Sequence, residues 1–530
     1  MTPQNAPSQN AGAATGVPSR LKDKIKDGFL ALSLANLCYI KVSFDLLSDA
    51  DRFFDQQQVT TTMLFAFVAN VFALALVIWL ALQALRRFPG RLLHLVAHLF
   101  FFCLLLFPID FIRIKFFQFT DYQIYKFLTQ PVVVCCAFVL MAFFVWKHRA
   151  LTAIAAVLVE ILSPLAFFTL GKIALISVGL LTLKRCDDDP APLPLKPVVS
   201  GRPRVLWIIF DETDYRLTFE QRPQNVLLPD FDRLRSESFC ANNAYEPADA
   251  TLISMPSLVL GRRISSVDPK DTCDLSITFG DTKKTTQWHD LPSVFSKAQA
   301  MDFNTAVVGW YIPYARELKG SLNFCKWYPY PPYEPSRADT FAANVSQQIL
   351  SLGETFWLRR LFIDIHQDSL KTSLNIVTNS AYGLTLLHLP APHRPGVYLP
   401  DKDKYTIYGM AKTTGYFNNL ILADRELGQI RRAMEGVSQW DKTWVILSAD
   451  HSWRESKLYD GQRDLRIPFL VKPPGSHQAQ NYSPQFNTVI TSDLILAILH
   501  GDVTDQESVA SWLTAHGKAF PIEHVGESNN

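Results

Sequence analysis

The 530-residue chain lacks several patterns that would assign it to a common class of protein. Its eight cysteines form no spaced framework, and the sequence has no Cys-x-x-Cys or Cys/His cluster of the kind that holds structural zinc. A net charge of +2 provides no basic excess, so nothing indicates a nucleic-acid partner. Internal repeats and a small-residue signal-peptide cleavage site are also absent. One membrane region plus one large soluble domain fits the length.

Long apolar segments occupy the first third of the chain, after a polar start (1–27) that turns basic and that we expect to be disordered. The segments are 28–47, 60–85, 92–107, 127–146 and 150–183. Most of them approach or exceed the ~20 residues needed to cross the hydrocarbon core of a bilayer. The sequence therefore predicts five transmembrane helices within residues 28–184, and Pro164 is expected to kink the last one.

Charges in the connecting loops predict how these helices cross the membrane. Lys and Arg cluster at residues 20–26, 86–91 and 147–149, whereas the connection after the first helix is acidic. Basic loops stay on the cytoplasmic side, so we predict a cytoplasmic N-terminus. Five crossings then place everything after residue 183 outside, which is the periplasm for a bacterial inner membrane. Among the charged residues inside the apolar runs, Glu160 has no obvious partner in the sequence.

Residues 185–203 are acidic and then proline-rich, which predicts a semi-rigid linker, and residues 204–518 have the pattern of a soluble domain followed by a loose tail (519–530). Continuous apolar runs at 205–210, 305–308, 384–388, 443–448 and 467–471 predict strands buried on both faces. Helical stretches alternate with them. We therefore expect an α/β domain with a mostly parallel central sheet. If this part is exported, Cys273 and Cys325 could form a disulfide.

Side chains capable of catalysis or metal binding follow three of these predicted strands. Because the sites of open α/β sheets form at the carboxyl ends of the strands, we expect these side chains to meet. They are Asp211, Glu212, His388, His393, Asp450 and His451. Two carboxylates, an imidazole and one hydroxyl oxygen would make a four-ligand zinc set.

Thr251 supplies that hydroxyl, in a stretch (246–261) that predicts a loop followed by an apolar helix. A hydroxyl at a helix N-terminus lies among unpaired N–H groups, which suit an anionic ester. A divalent metal would lower the pKa of the hydroxyl and make it a nucleophile at neutral pH. The alternative interpretation is an ordinary helix cap.

Together these motifs resemble the alkaline phosphatase/sulfatase superfamily, and the whole chain resembles its membrane-bound phosphoethanolamine transferases. Three matches carry the resemblance: a Thr three residues before Ser-x-Pro, an Asp-His pair, and a His-x-Pro segment with another His five residues upstream. The matching residues are Thr251, Ser254, Pro256, Asp450, His451, His388, His393 and Pro395. The resemblance implies five membrane spans and a periplasmic catalytic domain.

The resemblance also implies roles for individual residues. Asp211, with Glu212 as the alternative register, would bind a divalent metal together with Thr251, Asp450 and His451. That metal would be zinc, with manganese or calcium as alternatives. His393 would act as an acid/base or phosphate-binding residue. The residues expected to bind substrate are His388, Arg454 and Arg463. The family has a second histidine after the Asp-His pair that this sequence lacks, and Arg454 or Arg463 would take over its role in holding phosphate.

The implied activity is transfer of a phospholipid head group to a glycan or lipid A through a phospho-Thr intermediate. Pro247 and Ser257 stand where the phosphoethanolamine transferases have cysteines, so phosphoglycerol transfer is a variant. A membrane-anchored hydrolase of phosphate or sulfate esters is the alternative, and a non-enzymatic scaffold is a third hypothesis. Formylglycine sulfatases use Cys/Ser-x-Pro-Ser-Arg; here Ser254 begins a matching segment, but Leu258 replaces the required Arg.

Overall fold

The computed structural model describes residues 19–47, 59–88, 90–117, 119, 121–179, 190–269, 273–330 and 340–517. The predictions for residues 1–18, for the acidic connection after the first helix, for the first part of the linker and for the tail lie outside these residues. The helices of the N-terminal region are α1 Ser19–Cys38, α2 Ile40–Leu47, α3 Thr61–Arg87, α4 Arg91–Lys115, α5 Asp121–Leu128, α6 Pro131–Ile161 and α7 Ser163–Gly179.

Apolar helices of membrane-spanning length are present, but five spans are not shown among the described residues. In this part of the chain three helices qualify, namely α3, α4 and a joined Pro131–Gly179, and the pair formed by α1 and α2, bent by 63°, gives a fourth if it counts as one span. The loop predicted at residues 147–149 is instead part of α6. No proline or glycine lies between Pro131 and Ile161, and Lys, His and Arg are all compatible with a helix.

Two further predictions for this region concern the start of α1 and a kink near Pro164. Residues 19–27, which we predicted to be disordered, form the first turns of α1 because the helix continues into its basic flank. A break between α6 and α7 falls at Leu162, just before Pro164, as expected for a residue that disfavours helix upstream of itself. Glu160, which had no obvious partner in the sequence, lies 3.5 Å from Lys26.

The soluble domain is built on an eight-stranded sheet with the order β14-β2-β13-β12-β1-β9-β7-β8. The strands of the chain are β1 Val205–Phe210, β2 Phe239–Ala241, β3 Ala244–Tyr245, β4 Ile264–Pro269, β5 Leu275–Phe279, β6 Thr285–Gln287, β7 Thr305–Trp310, β8 Phe324–Tyr328, β9 Leu384–Leu389, β10 Tyr398–Leu399, β11 Lys404–Tyr405, β12 Trp444–Ser448, β13 Phe469–Lys472, β14 Gln480–Tyr482 and β15 Phe486–Asn487. Strands β12, β1, β9, β7 and β8 are all parallel, and β13 is antiparallel to β12. The predicted α/β fold with a mostly parallel sheet is confirmed.

Helices pack on both faces of this sheet. The helices of this part of the chain are α8 Pro229–Ser236, α9 Thr251–Leu260, α10 Val294–Ala300, α11 Tyr314–Glu317, α12 Phe341–Leu350, α13 Glu354–Val377, α14 Lys412–Gly436, α15 Lys457–Asp460, α16 Thr491–His500 and α17 Gln506–His516. Alternate residues of β1 enter two separate apolar cores, with Trp207 in the core that includes α9 and α16, and Ile208 in the core that includes α13 and α14. A strand buried on both faces is apolar throughout, which is why its sequence shows no alternation.

The structure can be compared with two further predictions, one about the linker and one about a disulfide. The described part of the linker (190–203) is bound to the domain surface: the Leu193 N–H donates to the Leu322 carbonyl at 2.9 Å, and Asn304 binds the Lys196 backbone through both of its amide atoms. The suggested Cys273–Cys325 disulfide is wrong, because Cys325 carries a thiol whereas Cys273 is disulfide-bonded.

The soluble domain contacts the helical region through α12, which packs along the first half of α3. Asn70 of α3 donates from Nδ2 to the Val345 carbonyl at 3.2 Å and to Gln348 Oε1 at 3.1 Å. Gln348 Nε2 donates in return to the Met63 carbonyl at 3.1 Å. Asn70 and Gln348 are both buried. An amide inside an apolar helix is costly unless it is paired, so this polar contact fixes where α12 docks.

We expect Asn70→Leu to loosen α12 from α3, because both hydrogen bonds donated by Asn70 Nδ2 would be lost, and one such bond contributes about 0.5–1.5 kcal/mol. Hydrogen–deuterium exchange of α12 amides should accelerate, while exchange in β1 and β12 stays slow. Gln83→Leu is the matched control, because Gln83 lies on the same helix and binds Asp27 at the other end. Equal acceleration in both variants would contradict this role for Asn70.

Candidate active site

The carboxyl ends of three adjacent parallel strands meet at one edge of the sheet. In β1, Ile209 is in register with Ser448 of β12 and with His388 of β9. The residues that follow β1 and β12 are therefore neighbours, although they are more than two hundred positions apart in the sequence. Asp211 follows β1 directly, and Asp450 and His451 lie just beyond the end of β12.

Asp211, Asp450 and His451 form a buried cluster. Each offers one ligand atom, and these atoms all lie within 4.8 Å of one another. His451 Nε2 lies 3.3 Å from Asp450 Oδ2 and 3.8 Å from Asp211 Oδ1. The other ring nitrogen, Nδ1, is 2.9 Å from the Ser452 carbonyl oxygen, which holds the proton on Nδ1 and leaves Nε2 as a lone-pair donor. Among the described residues this is the one such group of three metal-ligating side chains.

The charges of this cluster fit a bound cation. Burial, reinforced by Asp450 and Glu212, raises the pKa of Asp211 well above its usual range. Its Oδ1 atom is buried and has no hydrogen-bond partner in the described part of the chain. Burial also acts to raise the pKa of Asp450, but His451, His388 and the hydrogen bond from Thr251 outweigh it and hold that pKa below its usual value. A divalent metal would favour the charged form of both carboxylates, so the donor set fits the metal that we predicted.

Glu212 was the alternative register for the acidic ligand, and the structure places it differently from Asp211. Its backbone has φ 63°, a left-handed conformation that is uncommon for a residue other than glycine. Its N–H donates to Asp450 Oδ1 at 3.1 Å, and its side chain accepts from Arg454 Nε at 3.1 Å. Glu212 therefore orients Asp450 and pairs with an arginine, and it lies outside the three-residue cluster.

Thr251 is the first residue of α9, and its hydroxyl lies at the cluster. Oγ1 donates to Asp450 Oδ2 at 2.7 Å and is 3.3 Å from His451 Nε2. The cap position belongs to Ala250, which makes no side-chain capping bond, so the Thr251 hydroxyl is not used as a helix cap. Ser254, the competing hydroxyl, is fully buried and is bound to the Ala248 carbonyl at 2.7 Å.

The two predicted histidines occupy different environments. His388, within β9, is fully enclosed; its Nδ1 is 2.9 Å from the Tyr314 hydroxyl, and burial lowers its pKa to about 4. His393 is 7% exposed and lies with its Nδ1 2.6 Å from the Arg394 carbonyl, which leaves Nε2 for chemistry. The rings of Trp310 and Tyr330 lie 5.4 and 5.9 Å from the His393 ring. His393 is thus the histidine that substrate could reach.

The two predicted arginines lie at the border of the site. Arg454 pairs with Glu212, as described above, and its side chain is 41% exposed. Arg463 Nη2 lies 3.9 Å from Glu246 Oε1 and 3.9 Å from Asp249 Oδ2, and neither its Nε nor its Nη2 has a hydrogen-bond partner in the described part of the chain. Arg463 therefore has donor capacity to spare for an anionic group.

Three residues that shape the site were not among the predicted site residues, although the sequence left open whether the segment 309–314 lines the site or only packs. Trp310 Nε1 donates to Asp211 Oδ2. Glu246, whose pKa burial raises to about 7, accepts from the Ser452 N–H and so ties the loop before Thr251 to the turn after β12. The Tyr314 hydroxyl forms a hydrogen bond with His388 Nδ1. Trp310 ends β7, so the strand-end argument that found Asp211 would also have pointed to it.

Residues 203–500, more than half of the chain, match the family model described as Sulfatase. A hydroxyl, two carboxylates and an imidazole at the carboxyl ends of parallel strands define a class of metal-dependent enzymes that act on phosphate and sulfate esters. The family match makes the assignment definite: this chain belongs to the sulfatase family, within the alkaline phosphatase superfamily. Enzymes of this superfamily depend on a metal.

Solved structures to which the chain is similar share little sequence with it. A protein of the alkaline phosphatase superfamily from Vibrio parahaemolyticus is 12% identical, with 57% of this chain and 67% of that chain covered and a TM-score of 0.37. A phosphonate monoester hydrolase of Agrobacterium radiobacter is 12% identical, with 61% and 78% covered and a TM-score of 0.38. A 2-O GAG sulfatase is 13% identical, with 57% and 71% covered and a TM-score of 0.37. No curated protein matches the chain.

We expect Asp450→Asn to reduce metal affinity by more than about tenfold, because changes that only perturb a ligand's support already cost about 10–100-fold. Metal content would be measured by mass spectrometry of the purified protein after dialysis. Asp424→Asn is the control, because Asp424 is another buried carboxylate, bound to the Phe231 N–H and outside the cluster. Unchanged metal content in Asp450→Asn would contradict the metal site.

We expect Gly309→Ala to disturb the site from a distance. A Cβ atom at this position would lie 2.2 Å from Tyr314 Cδ2, so the ring that holds His388 must move. Overpacking of this kind costs about 1–3 kcal/mol, which a thermal unfolding curve will show as a lower Tm. Gly436→Ala is the control, because nothing lies within 4 Å of that position. An unchanged Tm for Gly309→Ala would show that Tyr314 is free to shift.

Proposed function

We propose that this protein is an inner-membrane transferase that moves a phospholipid head group, phosphoethanolamine or phosphoglycerol, to a hydroxyl of a glycan or lipid A. The observation that carries the proposal is the position of Thr251. Its hydroxyl lies at the metal-ligating cluster and is directed at Asp450 at 2.7 Å, and Thr251 is the first residue of α9. The proposed intermediate is a phosphoryl group on Thr251.

Asp211, Asp450, His451 and the Thr251 hydroxyl would hold the metal, for which we favour zinc, with manganese or calcium as alternatives. When bound, such an ion lowers the pKa of a hydroxyl and offsets charge on phosphoryl oxygens. In the first step the Thr251 hydroxyl proton passes to solvent by way of Asp450 Oδ2, the Thr251 oxygen forms a bond to phosphorus and the bond to the diacylglycerol oxygen breaks. His393, which enters the step protonated at Nε2, supplies the proton that the leaving diacylglycerol takes up.

The second step reverses these roles. The acceptor hydroxyl attacks the phosphorus of phospho-Thr251, its proton passes to His393, and the Thr251 oxygen leaves. Arg463, two of whose nitrogens make no hydrogen bond in the described part of the chain, and Arg454 would bind the non-bridging oxygens throughout, because a guanidinium matches two such oxygens at once. His388 is too enclosed for a direct substrate contact, and we assign it the role of supporting the cluster through Tyr314.

A membrane-borne substrate is supported by the way the domain is attached. Helix α12 binds α3 near Met63 and Asn70, within one of the helices that qualify as membrane spans. The opposite end of α3 carries Arg86 and Arg87, next to the basic start of α1. By the positive-inside rule that end faces the cytoplasm, so the sulfatase domain faces the periplasm. A disulfide at Cys273 suits an oxidising compartment.

Hydrolysis of a phosphate or sulfate ester, with water as the acceptor, is the second candidate, and the family match supports it equally. A formylglycine mechanism is the less suitable form of it. Ser254 would be the residue converted, yet its hydroxyl is buried and bonded to the Ala248 carbonyl and N–H, at 2.7 and 3.1 Å. Incubation with labelled lipid and an acceptor extract separates the two candidates. Release of free head group only would contradict transfer.

We expect Thr251→Ala to lower activity by at least about three orders of magnitude, as for loss of other catalytic nucleophiles, while fold and metal content stay largely intact. Mass spectrometry of wild-type protein incubated with phosphatidylethanolamine or phosphatidylglycerol should show an adduct on Thr251, and its mass identifies the donor. Ser254→Ala is the matched control and should retain the adduct. Activity that survives in Thr251→Ala but not in Ser254→Ala would overturn the assignment.

A further inference from the structure

A cationic cleft lies at the end of the helix bundle that is remote from the sulfatase domain. It has a volume of about 400 Å3, and its lining residues are Arg91, Trp146, Lys147, His148, Arg149 and Ala150. Arg91 begins α4, whereas the other five are consecutive in the middle of α6. The cleft exists because α6 is continuous here and packs against α4 through His148 and His98, whose Nδ1 atoms are 2.7 Å apart.

Among the described residues, no acidic side chain neutralises the cations of this cleft. At the same end of the bundle, Arg86 is paired with Asp27 at 2.7 Å and Lys26 with Glu160 at 3.5 Å. By contrast, within the described ranges no carboxylate oxygen lies within 4.0 Å of the side-chain nitrogens of Arg91, Lys147 or Arg149. The Lys147 ammonium instead lies over the Trp146 ring at 4.1 Å. Three like charges around one cleft repel one another, and a bound anion would offset that repulsion.

Apolar surface adjoins the cleft on both helices. Leu92 on α4 is 73% exposed, and Val139, Leu140 and Phe143 on α6 are also exposed to the surroundings of the bundle. The ring of Trp146 lies between these side chains and the basic residues, which is a common position for tryptophan at a membrane interface. A ligand that matches both features has an anionic group next to hydrocarbon chains.

We propose that this cleft binds one anionic phospholipid, with its phosphate between Arg91, Lys147 and Arg149 and its acyl chains along α4 and α6. The site is separate from the reaction centre and does not depend on the proposed transferase activity. A general excess of cations on the cytoplasmic side, as the positive-inside rule requires, would attract anionic lipid without a fixed number or place. A built cleft instead predicts one retained lipid whose binding depends on the residues that line it.

The test is native mass spectrometry of the full-length protein in detergent, titrated with dioleoyl phosphatidylserine or with dioleoyl phosphatidylcholine. Phosphatidylserine is chosen because it is anionic and is not one of the proposed donors. We expect wild-type protein to retain one phosphatidylserine in preference to phosphatidylcholine. Arg149→Gln should weaken that binding about fivefold, which corresponds to the ~1 kcal/mol that one cation contributes beside an anionic lipid.

Arg87→Gln is the matched control, because Arg87 is an exposed cation at the same end of the bundle that does not line the cleft. It should leave the affinity unchanged, and Arg149→Lys, which keeps the charge, should restore most of the binding. Equal weakening by Arg87→Gln and Arg149→Gln would overturn the proposal in favour of general attraction. Equal retention of phosphatidylcholine would overturn it too, as would equally tight binding of soluble glycerol phosphate, which has no acyl chains.

Discussion

Two carboxylates buried together, Asp211 and Asp450, are the constraint on which the rest of the site depends. Neither could stay charged in an apolar interior without a positive partner, and the protein supplies partners on every side: the Glu212 N–H, the His451 N–H and the Thr251 hydroxyl for Asp450, and the Trp310 indole for Asp211. One oxygen of Asp211 is left over in the described structure. A bound cation would pair with this remaining oxygen and offset the negative charge of the two carboxylates.

Much of this arrangement follows from local sequence. A parallel strand buried on both faces must be apolar throughout, so 205–210 and 443–448 are recognisable as strands, and a polar residue directly after such a strand falls at the edge where parallel strands end together. That reasoning is enough to predict that Asp211, Asp450 and His451 meet. It does not separate Asp211 from Glu212, because the choice depends on a left-handed backbone at Glu212 that no propensity demands.

Other features were beyond the sequence because they depend on distant contacts. Glu246 and Tyr314 are ordinary residues in their own segments and gain their roles from partners more than seventy positions away. The prediction for residues 147–149 was wrong for a local reason. Their charge suggested a loop, although nothing in that segment prevents a helix from continuing. The pairing of Cys273 also depends on chain geometry, so the sequence could offer Cys325 only as one possible partner, and that pairing was wrong.

The contact between α12 and α3 has a consequence for how the enzyme would be studied. Buried amides join the domain to an apolar helix, so the domain is held against that helix. If the substrate is the phospholipid that we propose, an enzyme held in this way would meet it per unit area of membrane, and its rate would follow the mole fraction of that lipid in the surface. Adding inert detergent would slow it by surface dilution even at constant bulk concentration, and a Michaelis constant in molar units would have no fixed value.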